Sequence, residues 1–424
     1  MSRNTVYALI GLFAIAAGTL TWKWWNNKGI QERQQRLTAV LERTEDAPGQ
    51  RIVSLDSVLA EYPDDEMLQR LGVHHLLQAH AEIGSDSTTL TRLGRRYASM
   101  DSSWWAYYSI AAAYADGGAN LAEGLDLMDR ALAQVREMPQ PETLTAEKWQ
   151  AQLSEMVGHC RFIRGKLFAE MGRQDSALVQ FRAAADSVRD SHEFLMWLGD
   201  TYSTLGMLDQ ALDTYMQVVR LKYDHDEARS AIRRLYPMVG RRGYVDQVLD
   251  TLVQNARMER RDAILADRVS RPCPSFDLTG RDGENYTLES LEGQVVVMDV
   301  WATWCGPCRR KFPEYQAAYD RYGSRPDVTF LAVSVDESPE VIEPFLDRYG
   351  YTFPTAHGGR EFGRAMEVEG IPTLFVIDPE GVIRHVELGF NDTGDFVEEL
   401  GWKIEDALVI RPDAPADTTG AALP

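Results

Sequence analysis

The most constraining feature of this chain is a pair of cysteines, Cys305 and Cys308, separated only by Gly306 and Pro307. The pair follows an apolar run that starts at Gln294, and it precedes a run with helical spacing. At the first turn of a helix, unpaired backbone N–H groups and the positive end of the helix dipole favour a thiolate over a thiol. Because the thiolate is the nucleophile of thiol–disulfide exchange, this stretch predicts a redox-active dithiol.

Half of a zinc site is the alternative interpretation of two cysteines at this spacing. The other two cysteines, Cys160 and Cys273, stand alone, and no histidine lies at zinc-finger spacing beside the motif. We therefore favour redox chemistry over metal binding, and we expect no cofactor other than the Cys305–Cys308 pair itself. Cys160 is expected to be a small buried residue, and Cys273 either an inert thiol or a third redox thiol.

Length and charge limit the number of domains and the class of partner. The 424 residues suggest two or three domains. A formal net charge of −20 excludes nucleic acid as a partner, because the phosphate backbone requires a basic face. We predict a membrane anchor over 1–28, a helical repeat domain over 29–262, an α/β domain over 263–408 and a disordered tail over 409–424.

The N-terminal residues 4–22 contain no charged side chain. As a helix they would extend about 28 Å, close to the hydrocarbon thickness of a bilayer. Lys23, Trp24 and Trp25 follow as an interfacial belt. The segment predicts a single-pass anchor in the cytoplasmic membrane, with the other domains in the periplasm or another extracytoplasmic space. A signal peptide cleaved near Ala16 is the alternative, and it places the remaining chain on the same side.

The middle of the chain contains an internal repeat. Four positions recur at an interval of 34 residues, in the order Gly165, Gly172, Ala177, Phe181 and then Gly199, Gly206, Ala211, Tyr215. The interval and the small and aromatic positions resemble the tetratricopeptide repeat, which implies helix pairs stacked into a solenoid. The resemblance implies a concave surface that holds a protein partner. A spacer without a partner remains the alternative.

Beyond Ala263 strand-like runs alternate with helical patterns, which predicts an α/β domain. The expected strands and helices are best given together. The pattern predicts strands over 294–300, 328–335, 373–378 and 382–388, and helices over about 308–322, 339–349 and 393–408. The last two strands form a hairpin around Pro379-Glu-Gly381.

Several short motifs accompany the cysteine pair. In chain order they are Pro274-Ser-Phe276, Tyr286-Thr-Leu288, Leu291-Glu-Gly293, Val300-Trp-Ala-Thr-Trp-Cys-Gly-Pro-Cys308, Gly370-Ile-Pro-Thr373 and Ile377-Asp-Pro-Glu-Gly381. With these motifs, residues of about 268–408 resemble the thioredoxin superfamily, in particular its membrane-anchored TlpA/ResA-like branch. The resemblance implies a thioredoxin fold.

The resemblance also assigns roles around the dithiol. Cys305 would be the exposed attacking thiol and Cys308 the buried thiol that resolves the mixed disulfide. Pro372 matches the cis-proline of the family and would face the dithiol. The residues expected to bind the extended backbone of a substrate are Trp304, Gly306, Pro307, Ile371 and Thr373.

Two charged residues near the dithiol are candidates for tuning its reactivity. Asp299 is either a buried acid with a raised pKa that relays the proton of Cys308, or a strand residue that faces solvent. Many members of the branch carry Glu where this chain has Lys311. A cation there should stabilise a thiolate, so we expect Lys311→Glu to raise the pKa of Cys305.

The resemblance implies an enzyme, a protein-disulfide oxidoreductase with protein thiols and disulfides as substrates. Reduction is the expected direction, for example of apocytochrome c in cytochrome c biogenesis, with a membrane electron donor of the DsbD/CcdA kind. One alternative is a repeat scaffold whose redox domain only binds partners. The other is peroxide reduction, but peroxiredoxins place Thr three residues before the attacking Cys, where this chain has Ala302.

Overall fold

The computed structural model describes residues 33, 36–41, 44, 47–142, 144–188, 191–281, 283–390 and 395–409. The expected anchor over 1–28 and, apart from Val409, the expected tail over 409–424 lie outside the described residues. In the part of the chain that is described, no helix is both long and apolar enough to cross a membrane. The bounds of the four predicted segments stay predictions.

The chain divides into two compact units. The helical unit contains the described residues up to Val218 together with Asp226–Asp246. The C-terminal unit contains Val219–His225 and the described residues from Gln247 onward.

The first helices follow one another with short connections. They are α1 Pro48–Glu61, α2 Glu66–Glu82, α3 Ser87–Met100, α4 Trp104–Asp116, α5 Leu121–Arg136, α6 Ala146–Glu170, α7 Gln174–Ser187, α8 His192–Thr204, α9 Leu208–Leu221 and α10 Asp226–Met238. Many begin after a side chain that caps the helix. Asp65, Asp86 and Ser103, for example, each accept the N–H three residues further on.

The 34-residue interval of the sequence is present in the backbone. Gly172, Gly206 and Gly240 lie 34 residues apart and have φ angles of 72°, 73° and 72°. Residues with a side chain rarely adopt this left-handed conformation, so the three turns require glycine.

Two further glycines of the repeat lie where helices approach closely. A Cβ atom on Gly165 of α6 would lie 2.5 Å from the ring of Phe181 on α7. A Cβ atom on Gly199 of α8 would lie 2.8 Å from the ring of Tyr215 on α9. Both distances are too short for carbon atoms that are not bonded, so each aromatic ring packs directly on the glycine backbone. The helical character of this region is confirmed, whereas its assignment to tetratricopeptide repeats stays a prediction.

The C-terminal unit is an α/β domain with a thioredoxin fold, as expected. Its strands are β1 Arg271–Pro272, β2 Asp277–Thr279, β3 Asn285–Thr287, β4 Val295–Trp301, β5 Val328–Ser334, β6 Thr355–His357, β7 Thr373–Ile377 and β8 Val382–Leu388. Six of them form one sheet in the order β1-β8-β7-β4-β5-β6, and β2 pairs with β3 in a separate hairpin. Strands β4, β5 and β6 are parallel, and β7 is antiparallel to both β4 and β8.

Helices cover the sheet and extend this unit upstream. They are α11 Val245–Ala266, α12 Gly306–Tyr322, α13 Ile342–Tyr349, α14 Gly359–Ala365 and α15 Phe396–Val409, with 3-10 turns at Glu289–Leu291 and Pro339–Val341. The long strands and helices agree with the sequence pattern to within a few residues. Strands β1, β2, β3 and β6 and helix α14 were not expected from the pattern.

Two apolar layers flank the central strand β4, which is buried along its whole length. Alternate side chains of a strand point to opposite faces, so β4 contributes to both layers. The layer called here the dithiol layer consists of Val297, Trp301, Cys305, Cys308, Phe312, Leu374, Leu400 and Ile404. The opposite layer contains Val296, Met298, Val300, Leu331, Phe375 and Ile377. Both cysteines of the motif therefore lie on one face of the sheet.

Candidate active site

A disulfide joins Cys305 and Cys308 at the start of α12. Cys305 is the residue that caps this helix, and its Sγ accepts the backbone N–H of Cys308 at 3.2 Å. Pro307 lies in the first turn, where its missing N–H costs nothing and its fixed φ suits a helix. The helix N-terminus thus points at the Cys305 sulfur, and the same N–H group would stabilise a thiolate there after reduction.

The exposure of the two cysteines differs from the expectation in degree. Only 4% of Cys305 and none of Cys308 is exposed, whereas Trp304 is 68% exposed. The expectation of an exposed Cys305 is wrong for the disulfide form, because its Sγ lies against the Ile371 carbonyl oxygen at 3.6 Å. Cys305 is still the outer residue of the pair. Gly306 and Pro307 lie half-buried beside it.

The loop opposite the disulfide contains the expected cis-proline. The peptide bond between Ile371 and Pro372 is cis, as the motif predicts. The Ile371 carbonyl faces Cys305, and the Pro372 carbonyl accepts the N–H of Gly389 at 2.7 Å. Ile371 is half-buried at the rim. The proline is therefore beside the dithiol, with its own carbonyl already paired.

Thr373 does not fit the substrate-binding role expected of it. It is buried, its hydroxyl donates to the Gly370 carbonyl at 2.6 Å, and its Cα partners are Val300 and Leu388 on the two neighbouring strands. With neighbours on both sides, its backbone has no free edge for an extended substrate. Thr373 instead holds the loop that carries Ile371.

Asp299 is buried, which decides between its two interpretations. Neither Asp299 nor Lys311 has more than 1% of its side chain exposed, and Lys311 Nζ donates to Asp299 Oδ1 at 2.5 Å. Because Val297 and Trp301, two residues away on either side, belong to the dithiol layer, Asp299 points into the same layer as Cys308. The interpretation of Asp299 as a residue that faces solvent is wrong. Its Oδ2 atom has no hydrogen-bond partner among the described residues.

The electrostatics of this pair follow from its burial. Burial raises the pKa of Asp299, Lys311 opposes this, and the negative charge of Glu387 adds to it, so the pKa lies above its usual value. Lys311 was expected to stabilise a thiolate through its positive charge. Because its ammonium group is bonded to Asp299, its influence on the dithiol acts through that carboxylate.

A second acid near the motif was not found from the sequence. Asp336 follows β5, is buried, and accepts the backbone N–H of Thr303 at 2.9 Å and the Thr303 hydroxyl at 2.8 Å. Ser334 donates to the same carboxylate at 2.8 Å. These bonds fix the residue that precedes Trp304. The available signal is positional: adjacent parallel strands end at one edge of the sheet, so an acid just after β5 meets the loop after β4.

Sequence reasoning also missed a second ion pair, in which the lysine is buried and the glutamate side chain is 35% exposed. Lys403 of α15 donates to Glu387 of β8, and only 4% of the lysine side chain is exposed. Burial alone would raise the pKa of Glu387. Lys403 first, then Lys311 and Arg260, lower it overall.

The two remaining cysteines are far less reactive. Cys273 belongs to the opposite layer, and burial raises the pKa of its thiol to about 11. Cys160 is fully buried in α6, and burial raises its pKa to about 12. Since neither thiol ionises near neutral pH, both positions favour the inert interpretation.

The C-terminal part of this chain is similar to known proteins. The AhpC/TSA family matches residues 269–386. The thiol-disulfide oxidoreductase ResA of Bacillus subtilis is 35% identical over 117 residues, which are 27% of this chain and 65% of that protein. ResA of Geobacillus kaustophilus is 34% identical over 133 residues, which are 31% of this chain and 76% of that protein. In its C-terminal part, this chain belongs to the ResA thiol-disulfide oxidoreductases.

The likeness to ResA concerns the C-terminal part alone. The chain spans 65% of the length of the Bacillus subtilis protein. A thiol:disulfide interchange protein of the thioredoxin family from Chlorobium tepidum is 28% identical, over 33% of this chain and 97% of that one, with a TM-score of 0.29. The AhpC/TSA family match begins at residue 269, after the last residue of α11.

Proposed function

We propose that this protein is a thiol–disulfide oxidoreductase that reduces disulfides in other proteins. The single observation that carries the proposal is the Cys305–Cys308 disulfide at the start of α12, with the outer sulfur beside the carbonyl of Ile371. This arrangement supplies an activated nucleophile, a second thiol within bonding distance and a backbone acceptor for a bound peptide. The names of the ResA relatives support the same chemistry.

The reaction proceeds in two exchanges. In the reduced protein, the Cys305 thiolate attacks one sulfur of a client disulfide; the Cys305–client bond forms, the client bond breaks, and a client thiolate leaves and takes a proton from water. Cys308 then loses its proton and attacks the Cys305 sulfur. The Cys305–Cys308 bond forms and the second client thiolate leaves, so the client gains two electrons.

Asp299 is the proposed acceptor for the proton of Cys308. It lies in the dithiol layer with an unpartnered Oδ2 atom among the described residues, and its raised pKa makes it a better base than an ordinary aspartate. The positive charge of Lys311 opposes this rise and favours the ionised carboxylate, which is the form that accepts a proton. Together the two residues allow the buried thiol to react without opening to water.

The surroundings of the reaction are part of the proposal. The uncharged N-terminal run supports a single-pass anchor in the cytoplasmic membrane, with the dithiol on the extracytoplasmic side. A membrane donor of the DsbD/CcdA kind then returns two electrons to the disulfide. Apocytochrome c before haem attachment is a candidate client, and the 34-residue repeats offer a surface for a protein partner.

Reduction of insulin by dithiothreitol is the direct test of activity. The full chain should accelerate the reaction, and Cys305→Ser should abolish the acceleration because Cys305 is the proposed attacking thiol. Cys273→Ser is the matched control and should keep full activity, since Cys273 lies on the opposite face of the sheet. Equal rates with the full chain and with Cys305→Ser would contradict the proposal.

Trapping tests whether proteins are the substrates. A Cys308→Ser variant cannot resolve the mixed disulfide, so client proteins should accumulate on Cys305 as conjugates that dithiothreitol releases. The variant lacking both cysteines should yield none. Conjugates that also form with the double variant would show attachment outside the active site.

Peroxide reduction remains the second candidate because the matching family is AhpC/TSA. The side chain of Thr303, two residues before Cys305, donates to Asp336. Ala302 occupies the position where peroxiredoxins carry Thr. Peroxide consumption by the reduced protein, measured beside insulin reduction, decides between the two activities.

A further inference from the structure

Two acid–lysine pairs lie side by side beneath the dithiol. Asp299 on β4 has Leu374 on β7 as its cross-strand partner, and Leu374 in turn has Glu387 on β8. Cross-strand partners point to the same face, so both acids enter the dithiol layer, two strands apart. Lys311 comes from α12 and bonds Asp299, whereas Lys403 comes from α15 and bonds Glu387.

The two acids lie close enough to compete for the ammonium group of Lys311. Neighbouring strands lie about 4.8 Å apart, so the backbones at Asp299 and Glu387 are about 10 Å apart. Lys311 is enclosed between α12 and α15, with its ammonium group 5.8 Å from the ring of Phe396. Lys311 attracts Glu387 as well as Asp299, so the two carboxylates compete for its ammonium group.

We propose that Lys403 and Glu387 are positioning residues for the active site. By neutralising Glu387, Lys403 removes the competing attraction and so keeps Lys311 on Asp299, where the carboxylate stays ready to accept the proton of Cys308. The arrangement of these charges does not depend on the proposed function, whereas its effect on turnover rests on it.

Other ionisable groups face this arrangement from each neighbouring element. Tyr315 of α12 lies close to Asp299, and its hydroxyl donates to the Val297 carbonyl at 3.0 Å. Arg260 of α11 binds Glu399 of α15 through two hydrogen bonds of 2.8 and 2.9 Å and also attracts Glu387.

On β8, His385 contacts Asp406 of α15 at 3.0 Å. Like Lys403, Arg260 brings positive charge to Glu387 and lowers the pKa of that carboxyl. Because Tyr315 and His385 already bond to other groups, they do not replace Lys403 as the partner of Glu387.

Removal of Lys403 should transfer Lys311 from one acid to the other. In Lys403→Met, Glu387, whose side chain is 35% exposed, would lose its nearest cation, and Lys311 would move toward it. Asp299 would then lose its own cation, so its pKa would rise further above the ordinary value. Resolution of the mixed disulfide would slow, and its pH profile would move to higher pH.

The titration of Asp299 in the disulfide form tests this without turnover. Full-length protein labelled with 13C-aspartate is titrated by NMR, and Asp299→Asn identifies the signal. Lys403→Met should raise the proton affinity of Asp299 about tenfold, a midpoint shift of about one pH unit. The double variant Glu387→Gln/Lys403→Met should return the midpoint toward the wild-type value, because the competitor is gone.

Two further variants keep the proposal open to refutation. Arg360→Met removes one partner of the exposed Arg360–Glu337 pair and should leave Asp299 unchanged. Glu387→Gln alone keeps Lys403 and should lower the midpoint or leave it unchanged. An unshifted midpoint in Lys403→Met, or a rise in Glu387→Gln, would overturn the proposal even if one of the other variants fails to fold.

The titration of Asp299 and the insulin assay can fail independently of each other. A shifted titration in protein that never reduces insulin would keep the positioning role and remove the oxidoreductase role. An unshifted titration in a protein that reduces insulin would keep the oxidoreductase role and remove the positioning role.

Discussion

At the scale of single residues, Lys311 is the most sensitive position that the structure identifies. Its side chain is buried and bonds a buried carboxylate, and removing one partner of such a pair costs about 3–5 kcal/mol because the other charge is left unpaired. We expect Lys311→Met to lower the free energy of unfolding by about this amount at neutral pH. The same variant should slow resolution of the mixed disulfide, since Asp299 would hold its proton.

The pH dependence of this loss has a definite sign. The pKa of Asp299 in the folded protein is already raised, and Lys311→Met raises it further. The protonated carboxyl is compatible with burial, so the loss should be small below the ordinary pKa of aspartate and grow as pH rises through the raised pKa. Urea unfolding of the variant and the wild type at several pH values measures it. A loss that does not vary with pH would mean that packing, and not charge, dominates at Lys311.

The effect of Lys311→Met is easier to interpret than that of Lys311→Glu. A glutamate at this position would place a second acid beside Asp299, so a change in the pKa of Cys305 would report on both carboxyls. The methionine variant changes one charge only.

Asp336 offers a second test at this scale. Asp336→Ala would leave the partly buried Thr303 N–H without this acceptor, at a cost of about 1 kcal/mol. Because Thr303 leads into Trp304 and Cys305, we also expect slower insulin reduction. Asp347→Ala, at an exposed ion pair with Arg281, is the control and should change neither quantity. Normal activity in Asp336→Ala would show that the loop holds its geometry without the carboxylate.

The residues that the sequence could identify are those whose role is local. The cysteines, Gly306 and Pro307 share one turn, and Pro372 is marked by its own motif. The partners of Asp299 and Glu387 could not be found this way, because strand register and helix facing decide which lysine meets which acid. Neither Lys403 nor Asp336 has a motif of its own.

At the scale of elements, length determined what could be predicted. Strand β4 and helix α12 are long enough to show their periods, and a strand that is buried on both faces gives a continuous apolar run. Strands β1, β2, β3 and β6 have only two or three residues, too few for any alternation to appear. Their positions are set by pairing with strands that are distant in the sequence.

The contact between α6 and α7 gives a prediction at this scale. Gly165→Ala would place a methyl group 2.5 Å from the Phe181 ring, so we expect a loss of about 1–3 kcal/mol from overpacking. Gly49→Ala is the matched control, because nothing lies within 4 Å of a Cβ at that position of α1. It should be neutral or stabilise by up to about 1 kcal/mol, as alanine favours a helix over glycine. Circular dichroism during urea unfolding compares the two, and equal stabilities would refute the close packing.

At the scale of the whole molecule, the two units differ in how they should respond to acid. In the C-terminal unit, the raised pKa of Asp299 makes the folded state bind a proton more readily, which favours folding as pH falls. In the helical unit, the decisive group is a histidine with the opposite sign. The two units should therefore separate in stability below neutral pH, with the helical unit weakened first.

His74 of α2 is the histidine in question. Only 4% of it is exposed, both ring nitrogens lack a hydrogen-bond partner among the described residues, and its ring lies 5.3 Å from that of Tyr97. Burial first, and then the charge of His75, lowers the pKa of His74 from 6.5 to about 3. Since the unfolded chain takes up the proton first, the stability that His74 contributes is complete above its ordinary pKa and is lost as pH falls toward the lowered value.

The expected size of this effect is measurable. Between about pH 7.5 and about pH 5, one such histidine should cost the helical unit about 2 kcal/mol. His74→Leu cannot take up a proton, so its unfolding free energy should fall by about 2 kcal/mol less than that of the wild type over the same range. Urea unfolding followed by the helical signal provides both values. If the two proteins lose stability in parallel, His74 is not the acid-sensitive group. The other buried histidines of the helical unit would then be the next residues to substitute.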